Sequence, residues 1–582
     1  MADVISVPNR ASLAAADPAS PAYLAESGRE GIFVFTAGNL TSQVSGDPQQ
    51  GFYVSPASSP SGAAGAWVRR PATPGVAHAS WWGVAVGSGV NHEVGINTAL
   101  SSPAVTSLLL PAGTILIDGA IFVPGGKTLQ GAGKDVTLVK LRNGLQPSVP
   151  FDQRTVIRST AGAIAPTIRN LSVDGNKSPG KTNSIWMADG TRNFVVENVA
   201  AYNTSGYAFW AHAGAQPAVR TDGIFRNVSS FNANVHFECT RVDGVLWDGM
   251  VSGDGDGDIS TEAVWHPLAG SRNITYKDGR HIGKGHPFLV VGDEAGGQVD
   301  NIRYVRCDAY CTDDKYSIFI SKINGTVGRI FMEDCNIVSG LQGGIPARVA
   351  TGRVEMTRVR IESKTGENLS AINDGEIIAR DVRLKAVTSA NTIVTMIFGK
   401  IRFLGGSMEV LNGTISPSGG VGGYISTDTL ITPLVFSPIA GQNVRYIVPS
   451  DFTVPSARYY IGYNSPIADF RVNSAAVARY RIRLRGLLRK ITTAGSLAVA
   501  VDAGGTTNAF GFIQIQNADG TFSRLNLGNG GGALQNIPAN VGDTRTIEVD
   551  FTYNGANAEL SVLIGDNGVT LLAGAEMNAE RF

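Results

Sequence analysis

The chain has 582 residues, including 71 glycines and 26 prolines, and its 48 basic and 48 acidic side chains give a formal net charge of zero. With 43% hydrophobic residues it is not a disordered chain, and without a basic excess it lacks the usual surface of a nucleic-acid-binding protein. The four cysteines are too few for a disulfide scaffold, so we predict reduced, buried thiols.

Residues 1–105 form a first segment with its own glycine and aromatic pattern. The positions that carry the pattern are Gly31, Phe33, Gly38, Asn39, Asp47, Gly51, Tyr53, Gly62, Gly65, Trp67 and Arg69. This block is similar to segments that precede β-helices in phage tail-spike and prophage tail proteins. The resemblance implies an adaptor that attaches the protein to tail or baseplate proteins of a phage particle, with no part in catalysis.

The next segment, Gly113 to Leu141, has the order of short strands that opens many parallel β-helices. The matching positions are Gly113, Thr114, Leu129, Gly131, Gly133 and Thr137. The chain here resembles the pectate-lyase-like right-handed β-helix superfamily, over about residues 110–415. The resemblance implies a fold but no particular activity, because this fold is shared by lyases, hydrolases and proteins that are not enzymes.

Short segments of alternating apolar residues recur along residues 106–415 and predict the rungs of a parallel β-solenoid. Their equivalent positions are Leu171, Val199, Val228, Met250, Gly279, Cys307, Cys335, Val359, Val382 and Gly406, at spacings of 22 to 29 residues. Each rung buries its inward residues only by stacking on its neighbours. We therefore expect Cys307 and Cys335 to stack inside the solenoid.

A second strand in four successive rungs, read from Tyr207, Val235, Asp258 and Pro287, carries the candidate chemistry. Side chains alternate between faces along a strand, and adjacent rungs lie about 4.8 Å apart. The predicted outward set is Trp210, His212, His236, Glu238, Asp258, Glu262 and Asp293. We expect Trp247, Trp265 and His286 on loops near this patch.

This patch favours cleavage of a polysaccharide. Glycoside hydrolysis needs two carboxyl groups flanking the scissile bond, and crowding of carboxylates raises the pKa of one of them, as a general acid requires. The predicted pairs are Glu238 with Glu262 and Glu238 with Asp293. The predicted catalytic residues are Glu238, Glu262, Asp258, Asp293 and His236, and the predicted substrate-binding residues are Trp210, His212, Trp247, Trp265 and His286.

A polysaccharide lyase acting on a uronate polymer is the alternative, with His212, His236, Arg280 or Lys284 as the base. No cofactor is expected, and the one candidate metal site is a calcium site at Asp254, Asp256 and Asp258. A second candidate region, Asp313 to Lys315, resembles the paired aspartates of polygalacturonase-type hydrolases, but that family's other motifs do not follow.

Residues 416–582 predict a C-terminal antiparallel β-sandwich, and the resemblance to tail spikes implies that it caps the helix, drives trimerisation or binds sugar. A glycine- and serine-rich stretch, Asn412 to Tyr424, marks its boundary. Its strand at Arg479 to Gly486 alternates arginine with mostly apolar residues, which indicates one cationic face.

The sequence thus predicts an all-β protein: a right-handed parallel β-helix with an N-terminal adaptor and a C-terminal sandwich. The predicted function is that of a homotrimeric phage tail spike in the virion tail, which binds and cleaves host surface polysaccharide. The alternatives are a receptor-binding fibre without enzymatic activity and a structural virion protein. No signal peptide, membrane insertion or nucleic-acid partner is expected.

Overall fold

The computed structural model shows an all-β chain built on a parallel β-solenoid of about ten turns. The chain divides into two compact units, Met1–Lys284 with Asp293–Val299 and Gly285–Gly292 with Asp300–Phe582, each described separately below. The structure describes residues 3–142, 154–177, 181–214, 219–255, 259–313, 315–339, 347–363, 369–386, 394–397, 400–410, 417–418, 424–427, 435–436, 443–447, 452–453, 460–461, 469–472, 478–490, 497–502, 509–527, 535–537, 539–555, 558–563, 569–572 and 574–581.

The first unit begins with a small five-stranded sheet. Its strands, in spatial order, are Ile5–Val7, Ala22–Leu24, Gly31–Ala37, Gly65–Arg70 and Tyr53–Val54. The accompanying helices are Arg10–Ala14, Thr41–Ser45, the 3₁₀ turn Ala79–Trp82 and Glu93–Ser101. Leu13, Leu24, Phe33, Val54 and Trp67 form its buried core.

The motif of the N-terminal segment specifies this small fold. The buried carboxylate of Asp47 accepts the main-chain N–H groups of Phe52 and Tyr53 at 2.7 and 2.8 Å and the Nε1–H of Trp82 at 2.8 Å. A Cβ at Gly51 would lie 2.4 Å from the Trp82 ring, so only glycine fits there. Residues of the sequence pattern therefore make the contacts that fix the loop between Asp47 and Tyr53.

Arg69 is the second buried anchor of this segment. Its guanidinium donates hydrogen bonds to the carbonyls of Gly51, Glu30 and Arg29 at 2.7, 2.8 and 2.9 Å and lies 4.3 Å from the Trp81 ring centroid. Burial lowers the pKa of Arg69 to about 9. The three carbonyls satisfy a charge that would otherwise be costly to bury.

Three parallel sheets make up the solenoid of the first unit. The first contains Val76–His78, Ser107–Leu109, Thr128–Gln130, Val242–Asp248 and Arg272–Lys277; the second, Gly113–Ile117, Thr137–Leu141, Val251–Gly253 and Arg280–Gly283; the third, Ile121–Val123, Thr155–Ser159, Asn183–Met187 and Ala263–Leu268. The long strands Thr167–Asp174, Val195–His212 and Val219–Thr240 bend from one sheet into the next.

The predicted rung positions are confirmed. Leu171 pairs with Val199 and Val199 with Val228. At the turn that precedes each of these residues stands an asparagine with positive φ, Asn170, Asn198 or Asn227. Each asparagine amide donates to the carbonyl oxygen of the one a rung before it at 2.9 Å, which forms a continuous side-chain ladder along the turn.

The second unit continues with the same strand types. Its solenoid strands are His286–Gly292, Gln298–Val305 (shared with the first unit), Asp308–Cys311, Ile318–Lys322, Thr326–Val327, Arg329–Glu333, Asn336–Val338, Ala347–Val349, Arg353–Thr357, Arg360–Ser363, Leu369–Ile372, Glu376–Ala386, Val394–Ile397 and Lys400–Val410. The pairing of Asp308 with Asn336 sets Cys307 beside Cys335, as predicted. All four cysteines are buried and none forms a disulfide.

Beyond residue 410 the described strands are mainly antiparallel. They are Pro417–Ser418, Tyr424–Thr427, Val435–Phe436, Asn443–Ile447, Phe452–Thr453, Tyr460–Ile461, Asp469–Val472, Ala478–Lys490, Leu497–Asp502, Ala509–Gln516, Phe522–Leu527, Gln535–Ile537, Thr544–Gly555, Ala558–Leu563, Val569–Leu571 and Glu576–Arg581. The antiparallel C-terminal part is thus confirmed, whereas most of the predicted boundary at 412–424 lies outside the described residues.

The cationic face predicted in the C-terminal strand Ala478–Lys490 carries ion pairs. Arg481 contacts Asp550 at 2.7 Å and Arg485 contacts Glu548 at 2.9 Å, both across the antiparallel pair with Thr544–Gly555. This face therefore joins two strands. Within the described ranges, no helix has the length and apolar character needed to cross a membrane.

Candidate functional site

The candidate site lies on the outward side of the third sheet in the first unit. Strand register aligns Arg158, Trp186, Trp210, Glu238 and His266 in one column across successive strands. The Arg158 guanidinium lies 3.9 Å from the Trp186 ring centroid, and the Trp186 and Trp210 rings stack with centroids 5.0 Å apart. Both tryptophans and Glu238 are buried despite this outward register.

A directed chain of hydrogen bonds holds Glu238. The Trp210 Nε1–H donates to Thr240 Oγ1 at 2.9 Å, and the Thr240 hydroxyl donates to Glu238 Oε1 at 2.9 Å. The other oxygen, Glu238 Oε2, lies 3.0 Å from His266 Nδ1. Both oxygens of this carboxylate are therefore engaged by neighbouring side chains.

The charges of three carboxylates of the site raise the pKa of Tyr207. The charge of Glu238 is the largest cause that raises the pKa of Tyr207, followed by burial and the charges of Glu262 and Asp293. Its ring packs 4.8 Å from that of Trp210. Tyr207 consequently keeps its proton well above neutral pH and is a hydrogen-bond donor among acceptors.

The three carboxylates lie at different points along the strand Ala263–Leu268, although none of them belongs to it. Exposed Glu262 directly precedes it, while the Asp293 carboxylate accepts the N–H of Ala269 just after it, at 3.0 Å. Seven residues of extended chain separate these two ends by on the order of 20 Å. Glu238 lies beside the middle of the strand, so it can act with either neighbour, whereas Glu262 and Asp293 are too far apart to flank one bond.

A second group, the polar row, consists of Asp189, His212, Arg241 and Glu294. His212 Nδ1 lies 2.6 Å from Asp189 Oδ1, Arg241 Nη1 lies 3.3 Å from His212 Nε2, and Arg241 binds both oxygens of Glu294 at 2.7 and 3.0 Å. Because arginine only donates, His212 Nε2 accepts and Nδ1–H donates to Asp189. Burial lowers the pKa of His212, opposed by the Asp189 charge, which favours this neutral form.

The prediction that His236 faces outward is wrong. Its side chain is fully buried, its Nδ1 lies 2.7 Å from Ser230 Oγ, and its ring centroid is 5.8 Å from that of His281. The small Ser230 side chain leaves room for the imidazole inside the solenoid. Burial holds the pKa of His236 well below its usual value, so this residue is a neutral core histidine.

The predicted loop positions of Trp247 and Trp265 are also wrong. Both lie on strands with no exposed surface: Trp247 stacks between Phe225 and Tyr276, and Trp265 pairs in register with inward-facing Phe237. The predicted strand from Asp258 begins in the structure only at Ala263 and runs to Leu268, so Trp265 lies within it. Trp247 lies within the strand Val242–Asp248.

The other predicted residues have contacts of their own or are outside the described residues. His286 belongs to the second unit, where its Nδ1 lies 2.8 Å from the Tyr316 carbonyl and its ring stacks on Phe319. Asp254 accepts the N–H of Lys284 at 2.8 Å. Asp256 and Asp258 are outside the described residues, as is Asp314, so the calcium site stays a prediction.

Of the described part of the chain, no group of three His, Cys, Asp or Glu side chains has the geometry of a metal site. Sequence reasoning missed the parts of the site played by Tyr207, Thr240, His266, Arg241 and Asp189. One signal was present: His266 follows Glu238 by 28 residues, the same interval that separates Cys307 from Cys335.

No protein-family model matches the sequence, and no curated protein matches it. Solved structures that resemble it include tailspike protein 2 of an Escherichia coli O157:H7 bacteriophage, with 9% identity, a TM-score of 0.41, and coverage of 98% of this chain and 82% of that one. Another is tailspike gp49 of Acinetobacter baumannii bacteriophage Fri1, a capsular polysaccharide depolymerase, with 11% identity, a TM-score of 0.36 and coverage of 98% and 100%. A third is the A-module of the Azotobacter vinelandii mannuronan C-5 epimerase AlgE4, with 16% identity, a TM-score of 0.38 and coverage of 60% and 96%.

Proposed function

We propose that this protein is a phage tail spike that binds a host surface polysaccharide along the third sheet and cleaves it by glycoside hydrolysis. The observation that carries the proposal is the buried carboxylate of Glu238, held by Thr240 and His266, with a second carboxylate, that of Asp293, fixed at Ala269 just beyond the strand of His266. Carboxyl groups placed on both sides of a scissile bond are what glycoside hydrolysis requires. The row of stacked rungs gives a polymer an extended surface to lie on.

Within this cluster we assign the general acid to Asp293. Its carboxylate is fixed at Ala269, three residues beyond His266, the register partner of Glu238, or roughly 10 Å along the strand. Glu262 lies four residues before His266, farther from the centre of the cluster. This spacing leaves room for a water between the acid and a base on the Glu238 side, which favours inversion of the anomeric carbon over retention.

The remaining parts of the chain follow the same proposal. Residues 1–105 attach the spike to tail or baseplate proteins, residues 106–415 form the enzymatic solenoid, and residues 416–582 hold three chains together or bind sugar. The support for the adaptor is the motif whose residues build the small N-terminal sheet around Asp47 and Arg69. The protein then belongs to the virion tail and acts at the host surface.

The test is release of reducing ends from purified capsule, exopolysaccharide and lipopolysaccharide of candidate hosts. We expect the wild type to cleave the polysaccharide of its host and Asp293→Asn to lower the rate by about 10²-fold or more. Asp248→Asn, which alters a carboxylate paired with Lys277 on the first sheet, is the matched control and should stay within about twofold.

Three results would contradict parts of this proposal. Binding of the host polysaccharide without any cleavage would identify a receptor-binding fibre. Products with the ultraviolet absorbance of an unsaturated uronate would identify a lyase. An Asp293→Asn variant as active as the Asp248→Asn control would remove Asp293 from the catalytic role.

A further inference from the structure

We infer that His266 is the proton acceptor of this site and that Glu238 is a positioning residue that acts through it. The inference rests on the proposed polysaccharide cleavage and assigns a catalytic role to a residue that sequence reasoning did not select. Two observations support the inference. They are the direction of the hydrogen bonds around Glu238 and the difference in exposure between the side chains of His266 and Glu238.

The direction of each hydrogen bond follows from the donor groups. An indole Nε1–H can only donate, so Thr240 Oγ1 accepts a hydrogen bond from Trp210, and the Thr240 hydroxyl donates its own hydrogen bond to Glu238 Oε1. An ionised carboxylate only accepts, so Glu238 Oε2 takes the Nδ1–H of His266 at 3.0 Å. The neutral imidazole is therefore held as the Nδ1–H tautomer, with the lone pair on Nε2.

The two side chains differ in depth. The His266 side chain is 11% exposed and that of Glu238 only 2%, so the imidazole is the more exposed partner, although its Nε2 is buried. His266 Nε2 has no hydrogen-bond partner among the described residues. A buried acceptor without a partner costs about 1–3 kcal/mol, a cost that a bound hydroxyl or water would remove.

This arrangement matches a base with a carboxylate behind it. In the hydrolytic step a water O–H bond breaks, and the proton passes to His266 Nε2 while the water oxygen bonds to the anomeric carbon. The glycosidic C–O bond breaks, and the leaving oxygen takes the proton of Asp293. Glu238 stabilises the imidazolium that forms, and solvent then carries the proton from His266 back to Asp293.

Other ionisable groups surround the pair. Tyr207 lies on the preceding rung, and its pKa is raised mainly by the charge of Glu238 and also by the charges of Glu262 and Asp293, which lie on later rungs. His212 also senses the charge of Glu238, but its two ring nitrogens are already taken by Asp189 and Arg241. His266 is thus the imidazole of the cluster whose second nitrogen, itself buried, bonds to no other described group.

The test combines tautomer spectroscopy with kinetics on the full chain. In ¹⁵N-histidine-labelled wild type, the long-range ¹H–¹⁵N signals that disappear in His266→Gln should show a protonated Nδ1 and an unprotonated Nε2. In Glu238→Gln the new amide donates to Nδ1, so we expect the opposite tautomer. The same variants should lower kcat by about 10²- to 10⁴-fold with KM within about threefold.

Glu197→Gln is the matched control, because Glu197 pairs with Arg226 at 3.2 Å away from the site. It should retain the wild-type kcat within about twofold. The acid limb of the wild-type pH–rate profile should be lost in His266→Gln, a change that a purely structural role would not produce. If Glu238→Gln does not fold, His266→Gln alone tests the role through kcat and the pH profile.

The possible failures are distinguishable. A wild type that cleaves no host polysaccharide overturns the proposed function, and the catalytic role of His266 with it. A wild type that cleaves while His266→Gln keeps more than about one-tenth of its kcat overturns only the role of His266. A wild-type Nε2–H tautomer overturns the positioning role of Glu238.

Discussion

At the scale of single residues, the solenoid contains two kinds of histidine that the sequence does not separate. His236 and His281 are fully buried inside the β-helix, whereas His212 and His266 lie near the surface with one nitrogen bound to a carboxylate. Five of the seven histidines fall between residues 212 and 286, the part of the chain that contains most of the candidate site. What each does depends on burial and partners.

The buried His236 predicts acid sensitivity of folding. Its pKa lies well below the unfolded value of about 6.5, so as pH falls below that value the unfolded chain binds a proton that the folded chain cannot. Stability is full above about pH 6.5 and falls by up to about 1.4 kcal/mol per pH unit below it. His212, whose pKa is also lowered by burial, acts in the same direction.

Thermal unfolding at about pH 7.5 and about pH 5.5 measures this effect. We expect the difference in Tm between the two pH values to shrink in His236→Phe. The control is His78→Asn, at an exposed histidine of the strand Val76–His78, which should keep the wild-type difference. An unchanged difference in His236→Phe would show that other groups cause the acid sensitivity.

At the scale of elements, the turns between the first and second sheets are held by the asparagine ladder of Asn170, Asn198 and Asn227. The central member both donates to Asn170 and accepts from Asn227, and its φ is +54°. Asparagine adopts this left-handed conformation more readily than other residues with a Cβ. The ladder thus explains why asparagine stands before the apolar residue that marks these rungs.

Replacing the central member separates its two contributions. Asn198→Ala loses two amide hydrogen bonds and adds backbone strain, for an expected cost of about 2–3 kcal/mol. Asn198→Gly loses the same bonds without the strain and should be about 1 kcal/mol less destabilised. Denaturant unfolding of the two variants gives the comparison. Alanine and glycine variants of equal stability would argue against strain at this turn.

The rungs could be predicted from the sequence because inward apolar positions must align for each rung to be buried. The site was predicted only in part. A register shift interrupts the pairing between Thr204 and Tyr207, and Tyr207 packs on Trp210 although it is two residues from inward-facing Phe209. Alternation predicts the face of the sheet to which a side chain points, but not whether neighbouring side chains cover that face. Trp210 and Glu238 point outward and are nevertheless buried.

At the scale of the whole molecule, we propose that three chains associate. A closed three-fold assembly of the 61.0 kDa chain has a mass of about 183 kDa, three times that of one chain. Light scattering of the purified full chain measures it directly, and we expect the trimer mass over the accessible concentration range. A mass near that of one chain would contradict the homotrimer.

The buried anchors of the N-terminal segment have a mechanical consequence. Asp47 is bonded to Trp82 and Arg69 packs on Trp81, and both tryptophans belong to the turn Ala79–Trp82 that directly follows the first solenoid strand, Val76–His78. The small sheet and this strand are therefore joined through side chains as well as through the main chain. A force or torque applied to the N-terminal segment is therefore transmitted to the solenoid through a rigid connection, rather than absorbed by a flexible linker.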